Sequence, residues 1–172
     1  MKTTNVEAME HGKGLAYAAA AWAFVFALMS FYWGLGGMIG VETLGTGISE
    51  LAESREPTMM LMTWVTGVLK FAAGVAVLAL VQPWGRLFPR GLLRFGVWTA
   101  GILFTLYGLA NLFQHGLMVF GINEIAAMVG THTAALWHFL FWDPFWLLGG
   151  ILFILAVRRY AHGSVPAHLV QK

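Results

Sequence analysis

The sequence predicts an all-α fold, a bundle of four transmembrane helices, on two observations. First, 59% of its 172 residues are hydrophobic and only 10% are charged, with a mean hydropathy of +0.72, whereas a soluble domain carries about 25% charged residues. Second, four stretches are apolar over the ~20 residues that a helix needs to cross a bilayer. They are residues 15–39, 59–81, 93–120 and 133–157.

The composition also excludes several classes of function. A chain with so few charges cannot cover a water-facing surface, which excludes a soluble globular enzyme. No lysine- or arginine-rich face exists, so nucleic acid is not expected as a partner. The sequence has no cysteine, which excludes disulfides, thiolate metal sites and cysteine nucleophiles.

Length and residue type predict the structure of each of the four stretches and their connections. The apolar run of 15–39 far exceeds the ~7–15 residues of a signal-peptide core, so we expect a retained helix. The run of 93–120 is long enough to require tilt. The outer loop, 40–57, has apolar residues at helical spacing, which predicts a short helix on the membrane surface. A polar tail is expected from residue 161 to residue 172.

Loop charges predict the orientation. The loop 82–92 carries Arg86 and Arg90, and arginines or lysines flank both termini. The loops at the opposite end carry five glutamates against the single Arg55. Since positive loops stay in the cytoplasm, both termini are predicted to be cytoplasmic and the protein to be integral to the cytoplasmic membrane.

Polar side chains inside the apolar stretches indicate a site. Lys70 and Asp143 are charged, and a charge at mid-membrane costs about 2.5–3.5 kcal/mol on insertion scales. Uncharged or titratable residues accompany them: Tyr32, Tyr107, Asn111, Gln114, His115 and His138. At a rise of about 1.5 Å per residue, all of them fall in the outer half of the membrane. His138 and Asp143 would lie about 140° apart on an ideal helix, and a bend caused by Pro144 would bring them together.

Several structural interpretations of these residues stay open. Lys70 and Asp143 are expected to form an ion pair that holds two helices together, if their role is structural. His115 and His138 have three alternatives: hydrogen bonds to carbonyl groups, a metal site completed by Glu42 or Asp143, or a bis-histidine haem. No cofactor is predicted. A weak repeat, Trp64 to Lys70 and Trp137 to Asp143, indicates two related hairpins.

Three sequence segments carry a resemblance to a known family. They are Phe31-Tyr32-Trp33-Gly34-Leu35-Gly36-Gly37, Tyr107-Gly108-Leu109-Ala110-Asn111, and Trp137-His138 followed by the run Trp142 to Gly150 that reads WDPFWLLGG. They resemble the signatures of small bacterial four-helix membrane proteins catalogued as a domain of unknown function. The resemblance covers about residues 16–160 and implies the four-helix topology but no activity.

The working hypothesis is an aromatic-lined pocket in the outer half of the bilayer. It would hold an apolar, lipid-like or terpenoid molecule, and an enzyme there would perform acid–base chemistry, as an isomerase or cyclase. Asp143 would exchange the proton with help from His138 and His115. The expected ligand-binding residues are Lys70, Asn111, Tyr107, Tyr32, Trp33, Trp137, Trp142 and Trp146, with Lys70 and Asn111 holding the carboxylate.

Two other classes of function remain alternatives. One is a non-enzymatic membrane subunit or accessory protein that packs against a larger membrane partner. The other is a proton-coupled carrier in which Lys70 and Asp143 exchange partners, and which four helices would form only as a homodimer. Membrane lipids are expected partners in every case.

Overall fold

A computed structural model describes the backbone of residues 2–163 and the side chains of residues 12–160. Within this part of the chain the secondary structure is helical, without strands, which confirms the all-α prediction. The helices are α1 (Lys2–Gly34), α2 (Thr46–Glu53), α3 (Pro57–Val81), α4 (Arg90–Val119), α5 (His132–Trp137) and α6 (Asp143–Gly163). The predicted polar tail lies outside the described residues, except that 161–163 continue α6.

Among the described residues, four helical segments are long and apolar enough to cross a membrane: Gly12–Gly34, Pro57–Val81, Arg90–Val119 and His132–Tyr160. Many large apolar side chains on α3 and α4 point away from the bundle, among them Leu69 and Phe113, which are 62% and 71% exposed. An exposed apolar surface of this extent requires lipid or a partner around it. The fold is therefore a helical membrane bundle.

The first long helix ends earlier than its apolar sequence predicts. Residues 35–39 are apolar, but α1 stops at Gly34 and Gly36 has a φ of +91°. That left-handed conformation breaks the helical hydrogen-bond pattern and turns the chain. The Trp33 indole donates to the carbonyl of Ile39, at 2.9 Å, and closes the turn.

Small residues bring the long helices together. In α1, five alanines at helical spacing are buried against α3 and α6: Ala16, Ala19, Ala20, Ala23 and Ala27. Helices in lipid gain little from burying apolar surface, and close contact of small residues supplies the packing instead. At Gly108 of α4, a Cβ would stand 2.9 Å from the Leu147 backbone nitrogen and 3.2 Å from the Asp143 carbonyl oxygen of α6. Glycine here lets α4 approach the start of α6.

The loop between α1 and α3 folds back over one end of the bundle. It contains a 3₁₀ turn, Val41–Leu44, followed by α2. The amides of Thr46 and Gly47 donate to the carbonyls of Val129 and Met128, at 3.3 and 3.2 Å. Because these contacts join it to the loop before α5, the segment 41–53 forms a cap over this end, and we call it the cap below.

Candidate functional site

A cavity of about 360 Å³ lies beneath the cap, between α1, α3, α4 and the segment 138–146. Its walls are mostly aromatic and aliphatic, with a few polar groups. The lining residues are Phe26, Trp33, Leu44, Ile48, Met59, Met62, Thr63, Thr66, Lys70, Tyr107, Asn111, His138, Trp142, Asp143 and Trp146. Its volume and mixed lining are in the range of small-molecule sites.

The carboxylate of Asp143 is the acidic group in this wall, and His115 holds it. The Nδ1 of His115 donates to Oδ2 of Asp143 at 2.8 Å, and the two residues are only 6% and 2% exposed. His115 is seven residues, about two turns, after Gly108 on α4. The close approach at Gly108 therefore brings His115 within reach of Asp143. Asp143 lines the cavity, whereas His115 stands behind it.

A π-helical turn puts His138 beside this pair. Residues His138–Trp142 form the turn between α5 and α6, and the Asp143 amide donates to the His138 carbonyl, five residues back. Residues five apart therefore share a face, where an ideal α-helix would separate them by about 140°. Pro144 has no N–H to bond at the end of this turn. The predicted approach of His138 and Asp143 thus has a specific cause.

The imidazole rings of His115 and His138 stack with centroids 4.3 Å apart and planes 19° apart. His138 donates from Nε2 to the carbonyl of Leu44 in the cap, at 3.0 Å. Next to it, the Trp142 indole donates to the Thr43 hydroxyl at 3.0 Å. The two bonds hold the cap over the titratable groups.

Lys70 lies on a different part of the wall. Its ammonium donates to the Ser30 hydroxyl at 2.8 Å. It also stands over the ring of Phe26, 3.7 Å from the centroid, and 4.9 Å from that of Trp146. Aromatic faces stabilise a buried cation, and Lys70 is only 5% exposed.

The expected ion pair between Lys70 and Asp143 is wrong. Within residues 12–160, the ion pair of Asp143 is with His115, and Lys70 bonds to Ser30 instead. The expectation that Lys70 and Asn111 hold the carboxylate is wrong as well, because the Asn111 amide donates to the Tyr107 carbonyl one turn back, at 2.8 Å. The carboxylate and the ammonium each have a separate partner and face the same cavity.

The other expected ligand-binding residues divide into two groups. Trp33, Trp142, Trp146, Tyr107 and Asn111 line the cavity. Tyr32 and Trp137 are 39% and 47% exposed and do not line it. The Tyr32 hydroxyl instead accepts from the Ile39 amide, at 3.3 Å, and braces the turn after α1.

The two stacked histidines leave no room for a haem between them and are poorly oriented to share a metal ion. His115, His138 and Asp143 each offer one ligand atom within 4.8 Å of the others, and Glu42 is exposed and outside this group. Nitrogen lone pairs lie in the ring plane, so the lone pairs of two nearly parallel rings do not converge on one ion. A haem needs its two imidazoles on opposite faces of the macrocycle, and rings stacked at 4.3 Å leave no room for it.

Several residues that complete the site were not predicted from the sequence. Ser30 and Thr43 bond to Lys70 and Trp142, and Thr63 and Thr66 line the cavity. Thr63, Thr66 and Lys70 recur at i, i+3 and i+7, which is one stripe of a helix and was visible in the sequence. The carbonyl of Leu44 is a backbone group and gives no sequence signal.

Within the described residues, four membrane-length helices around a mostly apolar cavity define a class, the small helical membrane proteins. Within it, the chain belongs to the family described as protein of unknown function (DUF3995), whose model matches residues 23–153. The match includes α3, α4, the cap and the whole cavity wall, and it confirms the family resemblance. No curated protein and no solved structure matches this chain.

Proposed function

We propose that the protein binds an apolar, lipid-like or terpenoid molecule in the cavity and exchanges a proton with it. One observation supports this most strongly: the Asp143 carboxylate, 2% exposed and held by His115, faces a largely aromatic cavity of about 360 Å³. A buried acid–base group beside a ligand-sized space is the arrangement that general acid–base catalysis needs. The reaction class is isomerisation or cyclisation.

Each group at the cavity has a defined task in this proposal. Asp143 takes the proton from one carbon of the ligand and returns it to another, so that no external oxidant or reductant is needed. His115 is a positioning residue, because it touches the carboxylate from behind. His138 lines the cavity and supplies a second proton-carrying group. Positive charge that develops on the ligand is stabilised by the faces of Trp33, Trp142 and Trp146.

Binding is tested with geraniol, an apolar terpenoid alcohol, as the probe. Thr66 lies on the exposed rim of the cavity, so Thr66→Phe should block entry without crowding the core. Thr58→Phe, at an exposed position of the same helix outside the cavity wall, is the matched control. Tryptophan fluorescence in detergent micelles, with empty micelles as the partition control, should show binding to the wild type and the control only. Equal binding to all three proteins would overturn the proposal.

Chemistry is tested with the apolar lipid extract of the expression host, incubated with the protein in nanodiscs. Isomerisation and cyclisation keep the mass, so liquid chromatography with mass spectrometry should show a new peak of unchanged mass. Asp143→Asn should abolish this peak, while Glu53→Gln, which removes an exposed carboxylate from α2, should retain it. Identical profiles for the wild type and a folded Asp143→Asn variant would overturn the acid–base part.

A further inference from the structure

We infer that the molecule bound in the cavity carries a carboxylate, and that Lys70 is the residue that recognises it. This inference rests on the proposed function, since it assumes an apolar ligand in the cavity, and it names the chemical class of that ligand. The observation behind it is a buried ammonium on the cavity wall that has no anion beside it among residues 12–160.

The ammonium of Lys70 has unused hydrogen-bonding capacity. An ammonium has three N–H donors, and within residues 12–160 its acceptor is the Ser30 hydroxyl alone. No carboxylate in that range lies within 4 Å of it. The rings of Phe26 and Trp146 cover it on two sides but accept no conventional hydrogen bond. Its remaining donors are free for a molecule in the cavity.

The other charged group of the cavity does not take this role. Asp143 is hydrogen-bonded to His115 at 2.8 Å, so its carboxylate has a partner of its own. Removing a charged group from water without a partner carries a large free-energy cost. An anionic ligand that enters the cavity would give Lys70 the partner it lacks, and Asp143 would remain free to exchange a proton further along the ligand.

The depth of Lys70 in the membrane and the number of donors at the site favour a carboxylate over a phosphate. Lys70 is the fourteenth of the 25 residues of α3, so it lies near the middle of a membrane-length helix. Lipid phosphates stay at the membrane surface, and a phosphate with several charged oxygens needs several donors. A single ammonium in an aromatic cavity is matched in charge by one carboxylate at the end of an apolar skeleton.

Geranic acid and geraniol provide a matched pair of probes, because they share one carbon skeleton and differ in the head group. Charge-assisted hydrogen bonds exceed neutral ones by an amount that corresponds to about a tenfold preference or more. We therefore expect the wild type to bind geranic acid at least about tenfold more tightly than geraniol, measured by tryptophan fluorescence in micelles with empty-micelle controls.

Substitutions at Lys70 then test the residue itself. Lys70→Met fills the same space without charge, and Lys70→Gln keeps a donor for Ser30. Both should reduce the preference for geranic acid to within about twofold. Arg94→Met removes an exposed cation from α4 and is the matched control, which should keep the full preference.

The outcomes separate this inference from the proposed function. Equal affinities of the wild type for the two probes, or a preference that survives both Lys70 substitutions, would overturn the carboxylate inference alone. Failure of the wild type to bind geraniol, or binding that Thr66→Phe does not affect, would overturn the apolar cavity as a binding site.

Discussion

Lys70 and Asp143 lie well inside long apolar segments, and different neighbours stabilise the two buried side chains. Asp143 has a hydrogen-bonded histidine, whereas Lys70 has a hydroxyl and two aromatic rings. A carboxylate with an imidazole partner can share a proton with it, so this pair is suited to proton transfer. An ammonium over ring faces keeps its donors available, which makes Lys70 suited to binding.

The strength of the Asp143–His115 pair leads to a first prediction. His115→Leu should leave a buried, unpaired carboxylate and lower the free energy of unfolding by about 3–5 kcal/mol. In an Asp143→Asn background, the same substitution leaves a neutral amide, and the cost should fall to about 1–3 kcal/mol. Unfolding in detergent, followed by circular dichroism, measures the stability of the wild type, the two single variants and the double variant. Equal costs in both backgrounds would show that Asp143 is not ionised in the folded protein.

At the scale of helices and turns, what sequence could predict depends on whether the signal is local. The four long helices follow from apolar runs of membrane length, and charged residues such as Lys70 and Asp143 stand out because lipid makes them costly. The partner of Lys70 was not predictable, since it depends on how α1 and α3 are rotated against each other. Ser30 looks like an ordinary small residue in an apolar helix.

The turn before α6 is a second feature that the sequence predicts only in part. Pro144 indicates a break in the helix, but not that five residues form a π turn and bring His138 onto the face of Asp143. The contact of His138 with the cap runs to a backbone carbonyl, that of Leu44. Backbone groups are common to every residue, so no sequence pattern marks that bond.

Gly45 is one of the glycines that let the cap approach the loop before α5, which gives a prediction for this element. Gly45 has φ +117° and ψ 160°, a region that only glycine adopts readily, and a Cβ there would stand 2.8 Å from Cα of Val129. Gly45→Ala should therefore detach the cap from the neighbouring loop, at a cost of about 1–3 kcal/mol or more. Hydrogen–deuterium exchange should become faster across residues 41–53.

Gly40→Ala is the matched control for this experiment. Gly40 also has a positive φ, +80°, but a Cβ there meets nothing within 4 Å. The Gly40→Ala variant should have only the backbone strain of a left-handed alanine, about 1–2 kcal/mol. Its hydrogen–deuterium exchange should change less than that of Gly45→Ala. Equal protection of 41–53 in the wild type and Gly45→Ala would contradict the role of the cap contact.

At the scale of the whole molecule, the cap covers one end of the bundle, and the cavity beneath it extends as far as Lys70, near the middle of α3. The opposite end has the turn 83–87, which carries Arg86. Helix α3 connects the two ends with 25 residues, a length of about 37 Å. Because positively charged loops stay in the cytoplasm, the end with Arg86 is predicted to be cytoplasmic and the end with the cap to face outward. A ligand would enter from the outer leaflet, and protons exchanged through Asp143 would reach it from the same half.

This orientation is testable because the sequence contains no cysteine, so a single introduced thiol gives an unambiguous signal. Glu53→Cys, at the end of α2, should react with a membrane-impermeant maleimide in right-side-out vesicles, whereas Arg86→Cys should react only in inside-out vesicles. The reason is that the positive charge of Arg86 and Arg90 predicts a cytoplasmic position for this loop. Both variants should label fully after detergent is added, which controls for thiols that are buried. The reverse pattern would place the cap and the cavity on the cytoplasmic side, and the ligand would then come from the inner leaflet.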